Sequence, residues 1–154
     1  MKKILIPSLI SSILCILAKA QVGEKIADCE KTFGPPVKEF NSTEVTTKIF
    51  IKGELQAQLA YSNGLVTSGA YHVASLVNNK KQPITEAQLA IICQWNGITK
   101  EDLIPIDFPE MPELNGVYKK TPDSKLLVTH DKKKNVVAVS SAESFFKYLK
   151  TLKK

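Results

Sequence analysis

Polar and apolar positions alternate most regularly at residues 54–61, where Leu55, Ala57, Leu59 and Tyr61 are interleaved with Glu54, Gln56, Gln58 and Ala60. A period of two is that of a strand, whose successive side chains point to opposite faces. Just upstream, Val45, Thr47, Ile49 and Ile51 alternate with Thr46, Lys48, Phe50 and Lys52 in the same way. Lys52-Gly53 marks the reversal between these strands. Asn63-Gly64 marks the next, because a two-residue hairpin turn needs positive φ at both positions. A third strand is predicted over residues 65–73.

Before these strands the period changes. Val22, Ile26, Cys29 and Phe33 fall at i, i+4, i+7 and i+11, one face of a helix, and Gly34-Pro35-Pro36 stops it. The same plan then returns. After a polar linker over residues 78–82 and Pro83, Thr85 and Gln88 form a capping box. The helix it opens turns Leu89, Ile92 and Cys93 inward and ends at Asn96-Gly97. Residues 101–115 carry Pro105, Pro109 and Pro112 and cannot be regular. Three short strands follow at 117–120, 125–130 and 135–140. Ser140 with Glu143 reads as another capping box, opening a last helix whose apolar face is Phe145, Tyr148, Leu149 and Leu152.

The order is helix, three strands, helix, three strands, helix. Strands joined by tight turns are antiparallel, and the apolar side of such a sheet needs a cover. We therefore expect an α+β fold of two layers: a tandem αβββ repeat (about 22–75 and 84–152), an antiparallel sheet of about six strands, and a C-terminal helix.

Residues 1–20 stand apart from this plan. Lys2 and Lys3 precede an apolar run from position 4 to 17, and Ala18-Lys19-Ala20 has the small-x-small form of a signal-peptidase site. The run is short for a lasting membrane span. Cleavage after Ala20 is expected, leaving one domain over 21–154 with no transmembrane segment, in the periplasm or secreted. Cys15 follows the bulky Ile13 and Leu14, which is not the setting of a lipid-attachment cysteine.

Charge and chemistry narrow the function. Losing Lys2, Lys3 and Lys19 would lower the formal net charge from +6 to +3, and all 21 basic residues are lysine. Arginine is the residue suited to bidentate grip on phosphate or guanine, so no nucleic-acid partner is expected. Cys29 and Cys93 hold corresponding places on the two helices. They are either bridged, for roughly 4 kcal/mol of stabilisation, or buried free thiols. The spacing leaves both open. The two histidines, His72 and His130, match no metal template, and no catalytic or cofactor motif is present, so no cofactor is expected.

Val22 to Phe40, with its helix closed by Phe33-Gly34-Pro35-Pro36 and then strands, resembles small envelope proteins of the BamE/SmpA type. The doubled αβββ order is similar to that of secreted β-lactamase inhibitor proteins. What the resemblance implies is architecture and a life in the cell envelope.

The expected function is that of an exported, non-enzymatic protein binding a protein or envelope component through its sheet face or proline-rich loop, with Trp95 as an interface candidate. Two alternatives remain. One is a small secreted hydrolase using His130 or the acids Glu101, Asp102, Asp107, Glu110 and Glu113. The other is a binder of anionic surfaces through Lys132, Lys133 and Lys134.

Overall fold

The computed structural model describes residues 22–77 and 80–152, without the side chains of 76, 77, 148, 151 and 152. The leader expectation for 1–20, Cys15, and the helix-face readings for Tyr148 and Leu152 lie outside the described residues and side chains. The fold is α+β, with an antiparallel sheet, helices packed on it, and a helix at the C-terminal end. Among the described residues no helix is long and apolar enough to cross a membrane.

Helix α1 (Ile26–Phe33) is followed by strands β1 (Lys38–Asn41), β2 (Thr46–Lys52), β3 (Leu55–Ser62) and β4 (Leu65–Val73). A small hairpin of β5 (Leu76–Val77) and β6 (Lys80–Lys81) leads to α2 (Glu86–Trp95). Then come β7 (Ile104–Pro105), β8 (Tyr118–Lys120), β9 (Leu126–Asp131), β10 (Val136–Ser141) and α3 (Ala142–Leu152).

The main sheet has eight strands in the order β1-β2-β3-β4-β10-β9-β8-β7. Each half is a four-stranded meander rather than the expected three, and the halves meet where β4 pairs with β10. The added strands are the outermost ones, β1 and β7. The Asn63-Gly64 turn forms as its sequence demands, with φ of 52° and 76°.

Helices α1 and α2 cover one face. Cys29, Phe33, Leu89, Ile92 and Cys93 from the helices share a core with Phe50, Leu59, Tyr71, Val128, Val137 and Val139 from the strands. Helix α3 lies on the other face, over the second half only. There Phe145 packs with Leu127 and Phe108, with Tyr118 and Leu149 around them. The alternation along β9 fixes this geometry, since Leu126 and Val128 belong to the first core and Leu127 to the second.

On β2 the covered side is not the one its apolar series suggests. Phe50 is fully buried, whereas Ile51 is 46% exposed. Val45, Thr47, Ile49 and Ile51 therefore look away from α1 and α2, and Lys48 and Lys52 look toward them. Both lysines are accommodated by α1. The Lys48 ammonium meets Glu30 at 2.6 Å, and that of Lys52 donates to the Thr32 carbonyl at 2.6 Å. Long lysine stems can line apolar surface while their heads find polar partners.

The helix starts are fixed by side-chain caps. At α2 the Gln88 N–H donates to Thr85 Oγ1 (3.2 Å) and the Thr85 N–H to Gln88 Oε1 (3.0 Å), the expected reciprocal box. At α3 the cap is Ser141, not Ser140: its Oγ accepts the Ser144 N–H (3.1 Å) and donates to Ser144 Oγ (2.8 Å). Ser140 is still within β10, paired with Leu127 and Ser68. Ser141→Ala should lower stability by about 1 kcal/mol, and Ser140→Ala by a few tenths at most. Urea unfolding midpoints of the two variants check this, and equal midpoints would contradict the assignment.

Candidate functional site

The side of the sheet opposite α1 and α2 is left open over the first half. Cross-strand register assigns its residues. One row runs Lys38, Ile49, Gln58, Ala70, Ala138, Thr129, and the next runs Phe40, Thr47, Ala60, Ser68, Ser140. Ile51, Gln56 and His72 form a third. The middle of this floor is made of small side chains, while Phe40 and Ile51 stand 47% and 46% exposed toward one margin. On the same side of the sheet, α3 rests on β9 and β10. The floor therefore runs between an apolar margin and a helix, with no acidic side chain in any of the three rows.

Alongside α3, the proline-rich stretch and the helix enclose an apolar groove of about 340 Å³, lined by Phe108, Pro109, Met111, Phe146 and Leu149 with Lys150 and Glu110. Phe146 is 46% exposed. This stretch is not featureless, since it holds a 3-10 turn at Pro112–Leu114 and β7.

The candidate catalytic residues do not converge. His130 pairs with Val137 and so lies on the helix-covered face, while His72 lies on the open one. Both imidazoles are held below their ordinary pKa, first by burial and then by Lys132 at His130 and Lys81 at His72. Of the loop acids, Asp102 lines a hollow of about 420 Å³ with Asn96, Thr121 and Asp123. Glu101 lines a different one of about 350 Å³ beside Cys93, and Glu110 lines the apolar groove. Asp123 is already engaged, accepting from Thr121 Oγ1 (2.6 Å) and the Lys125 N–H (3.1 Å), contacts that hold its pKa low. Among the described residues, no group of three His, Cys, Asp or Glu side chains is placed to hold a metal ion.

Cys29 and Cys93 are free thiols, both buried in the core under α1 and α2. Burial is the chief cause that pushes the Cys29 thiol up to about 11, and it raises Cys93 too. A thiol in that state is a small hydrophobe rather than a nucleophile. Trp95 is half-buried and packs edge-on against Phe33, with ring centroids 4.9 Å apart. Its role in the structure is to tie α2 to α1.

Behind Trp95 lies a buried polar pair. Tyr71 and Asn96, both essentially unexposed, approach at 3.0 Å between the phenol oxygen and Asn96 Nδ2, which also donates to the Ile92 carbonyl (2.8 Å). Burial raises the Tyr71 pKa. The pair ends α2 against the sheet, and sequence reading saw only a helix stop at Asn96.

Lys132, Lys133 and Lys134 form the β9–β10 turn, all exposed. Asp131 Oδ1 accepts the N–H groups of Lys133 and Lys134, each at 3.0 Å, which fixes the turn and lowers the Asp131 pKa.

No protein-family model matches the chain, and no curated protein matches it in sequence. Among solved structures, the chain is similar to the crystal structure of a cysteine-rich secretory protein from Staphylococcus aureus subsp. aureus Mu50, with 13% identity and a TM-score of 0.46. The match covers 80% of this chain and 45% of that one, so the chain spans less than half the length of the protein it matches.

Proposed function

We propose that the chain is an exported, non-enzymatic protein that binds a protein or envelope component on the open face of its sheet. The observation that carries this reading is the reversed polarity of β2. An apolar series, Val45, Thr47, Ile49 and Ile51, is turned toward solvent while lysines are turned toward the helices. Antiparallel sheets commonly leave one face wet, but that face is then polar at alternate positions. Here two isoleucines and Phe40 stand among alanines and short polar side chains, and the exposed Ile51 and Phe40 gain from being covered. The export reading is supported by the leader-like pattern of residues 1–20. The non-enzymatic reading is supported by the two histidines lying on opposite faces and by acids dispersed among separate hollows.

Phe40→Asp/Ile51→Asp tests it, because both side chains are exposed and the fold should tolerate the change. Affinity capture from envelope extract with the full chain should retain a saturable partner that the double variant loses, while its melting temperature stays put. Retention untouched by the substitutions, or no saturable partner at all, would refute the proposal.

A further inference from the structure

The sequence places Lys132–Lys134 in one turn and Lys80–Lys81 about fifty positions earlier, in what reads as a polar linker. The structure brings the two together. Lys80 and Lys81 form β6 of the small hairpin, and Asn135 Nδ2, at the end of the β9–β10 turn, donates to the Lys81 carbonyl at 2.9 Å. Asn135 itself has φ of 52°, a left-handed conformation that asparagine tolerates and that closes the turn.

Five lysines thus stand at one end of the sheet, and the acids nearby do not cancel them. Asp131 is taken by Lys134 and by two backbone N–H groups. Glu86, at the start of α2, is paired with Lys100 and offsets Lys132 only through space, as the weakest of the contributions that lower its pKa. Glu54 accepts from the Gln88 side chain. Among the described residues, Lys80, Lys81, Lys132 and Lys133 have no carboxylate at ion-pair distance. Their field reaches the neighbouring imidazoles, since Lys81 acts on His72 and Lys132 on His130.

We infer that this composite lysine end is a docking surface for an anionic lipid bilayer. The site is distinct from the open sheet face and does not depend on it. The lysines sit on an exposed short strand and an exposed turn joined by a hydrogen bond, rather than along a groove, so they meet a broad surface rather than enclose a strand. The chain has no arginine to grip a fixed phosphate or a base edge. Lysine ammoniums on flexible stems suit a fluid array of headgroup phosphates, where each one near the surface contributes comparably.

Co-sedimentation of the chain with vesicles decides the matter. Phosphatidylcholine vesicles containing about 30% phosphatidylglycerol should bind it, and pure phosphatidylcholine should not. Binding should fall steeply as salt rises from about 50 to about 300 mM. Lys80→Glu/Lys81→Glu and Lys132→Glu/Lys133→Glu should each weaken binding by about tenfold or more. Lys125→Glu, at the opposite end of β9, should change it less than about twofold. These lysines are exposed, and unchanged melting temperatures of the variants would show that folding is intact. Equal binding to neutral vesicles, insensitivity to salt, or full binding by Lys80→Glu/Lys81→Glu would overturn the inference. So would tighter binding to a short DNA duplex or to polyglutamate than to the anionic vesicles.

Discussion

Phe50→Ala is expected to remove about 3–5 kcal/mol of unfolding free energy, whereas Ile51→Thr, one residue along, should change it by no more than about 0.5 kcal/mol. The two side chains are neighbours on one strand and both apolar, so hydropathy alone would rank them together. Their surroundings differ. Phe50 is fully buried and stacks on Phe33 at 5.4 Å, and Phe33 in turn meets Trp95. Truncating it removes the sheet's ring from a three-ring contact that joins α1, α2 and the sheet. Ile51 points to the open side and loses little packing. Urea titration reports both, and the slope of each transition shows whether the unfolded reference has changed. A large loss at Ile51 with a small one at Phe50 would mean that the helices cover the other face. The binding face proposed above would then be the core.

Gly69→Ala should destabilise by about 2–4 kcal/mol, even though the residue is in a central strand where alanine is ordinarily harmless. The reason is not backbone freedom but a close approach. A methyl group at Gly69 would lie 2.7 Å from the Tyr71 hydroxyl and 2.9 Å from two of its ring carbons. Two residues apart on a strand, Gly69 and Tyr71 share a face, and the phenol ring lies back across the glycine. The ring cannot swing away cheaply, because Tyr71 is fully buried and bonded to Asn96. Displacing it costs both packing and that hydrogen bond. The effect should therefore be strongly non-additive. In a Tyr71→Leu background, Gly69→Ala should cost less than about 1 kcal/mol, a coupling that a double-mutant cycle measures directly. Equal costs in the two backgrounds would show that the ring is not what excludes the methyl.

Much of the fold was legible because local signals agreed with the final packing. The α1 stop at Gly34-Pro35-Pro36, the Thr85–Gln88 box and the Asn63-Gly64 turn are each set by a few adjacent residues, and all three formed. The outer strands β1 and β7 were missed for a common reason. Lys38–Asn41 is exposed along its whole length, and Ile104–Pro105 is two residues long, so neither shows an alternation to detect. The orientation of β2 misled because its apolar series is longer than its buried one. The burial of Phe50 beneath the helices and the partners of Lys48 and Lys52 on α1, both unseen in a linear pattern, show that the lysine side faces the helices. The Ser140 cap was displaced by a single position, because β10 runs one residue further than its apolar pattern.

The candidate site was harder to read. Its floor comes from six strands in both halves, and alanines in a strand give no hint that they are aligned across neighbours. The lysine end likewise needs two segments far apart in sequence, joined through Asn135. Cys29 and Cys93 were rightly placed on inward helix faces, but position alone left their bonding open.

The junction of β4 with β10 has a consequence for how the chain assembles. Within the meanders most strands join through short reversals, the β7–β8 connection excepted, and such hairpins close on a timescale of microseconds. Gly69, however, meets Val139, 70 positions further along. That pairing must wait for the intervening chain to find its place, and closing so long a span is entropically slow. Until it closes, β4 presents a bare edge in a nascent molecule, a template on which a second chain could add. The speed of maturation and the risk of misassembly therefore rest on one interior pair of strands.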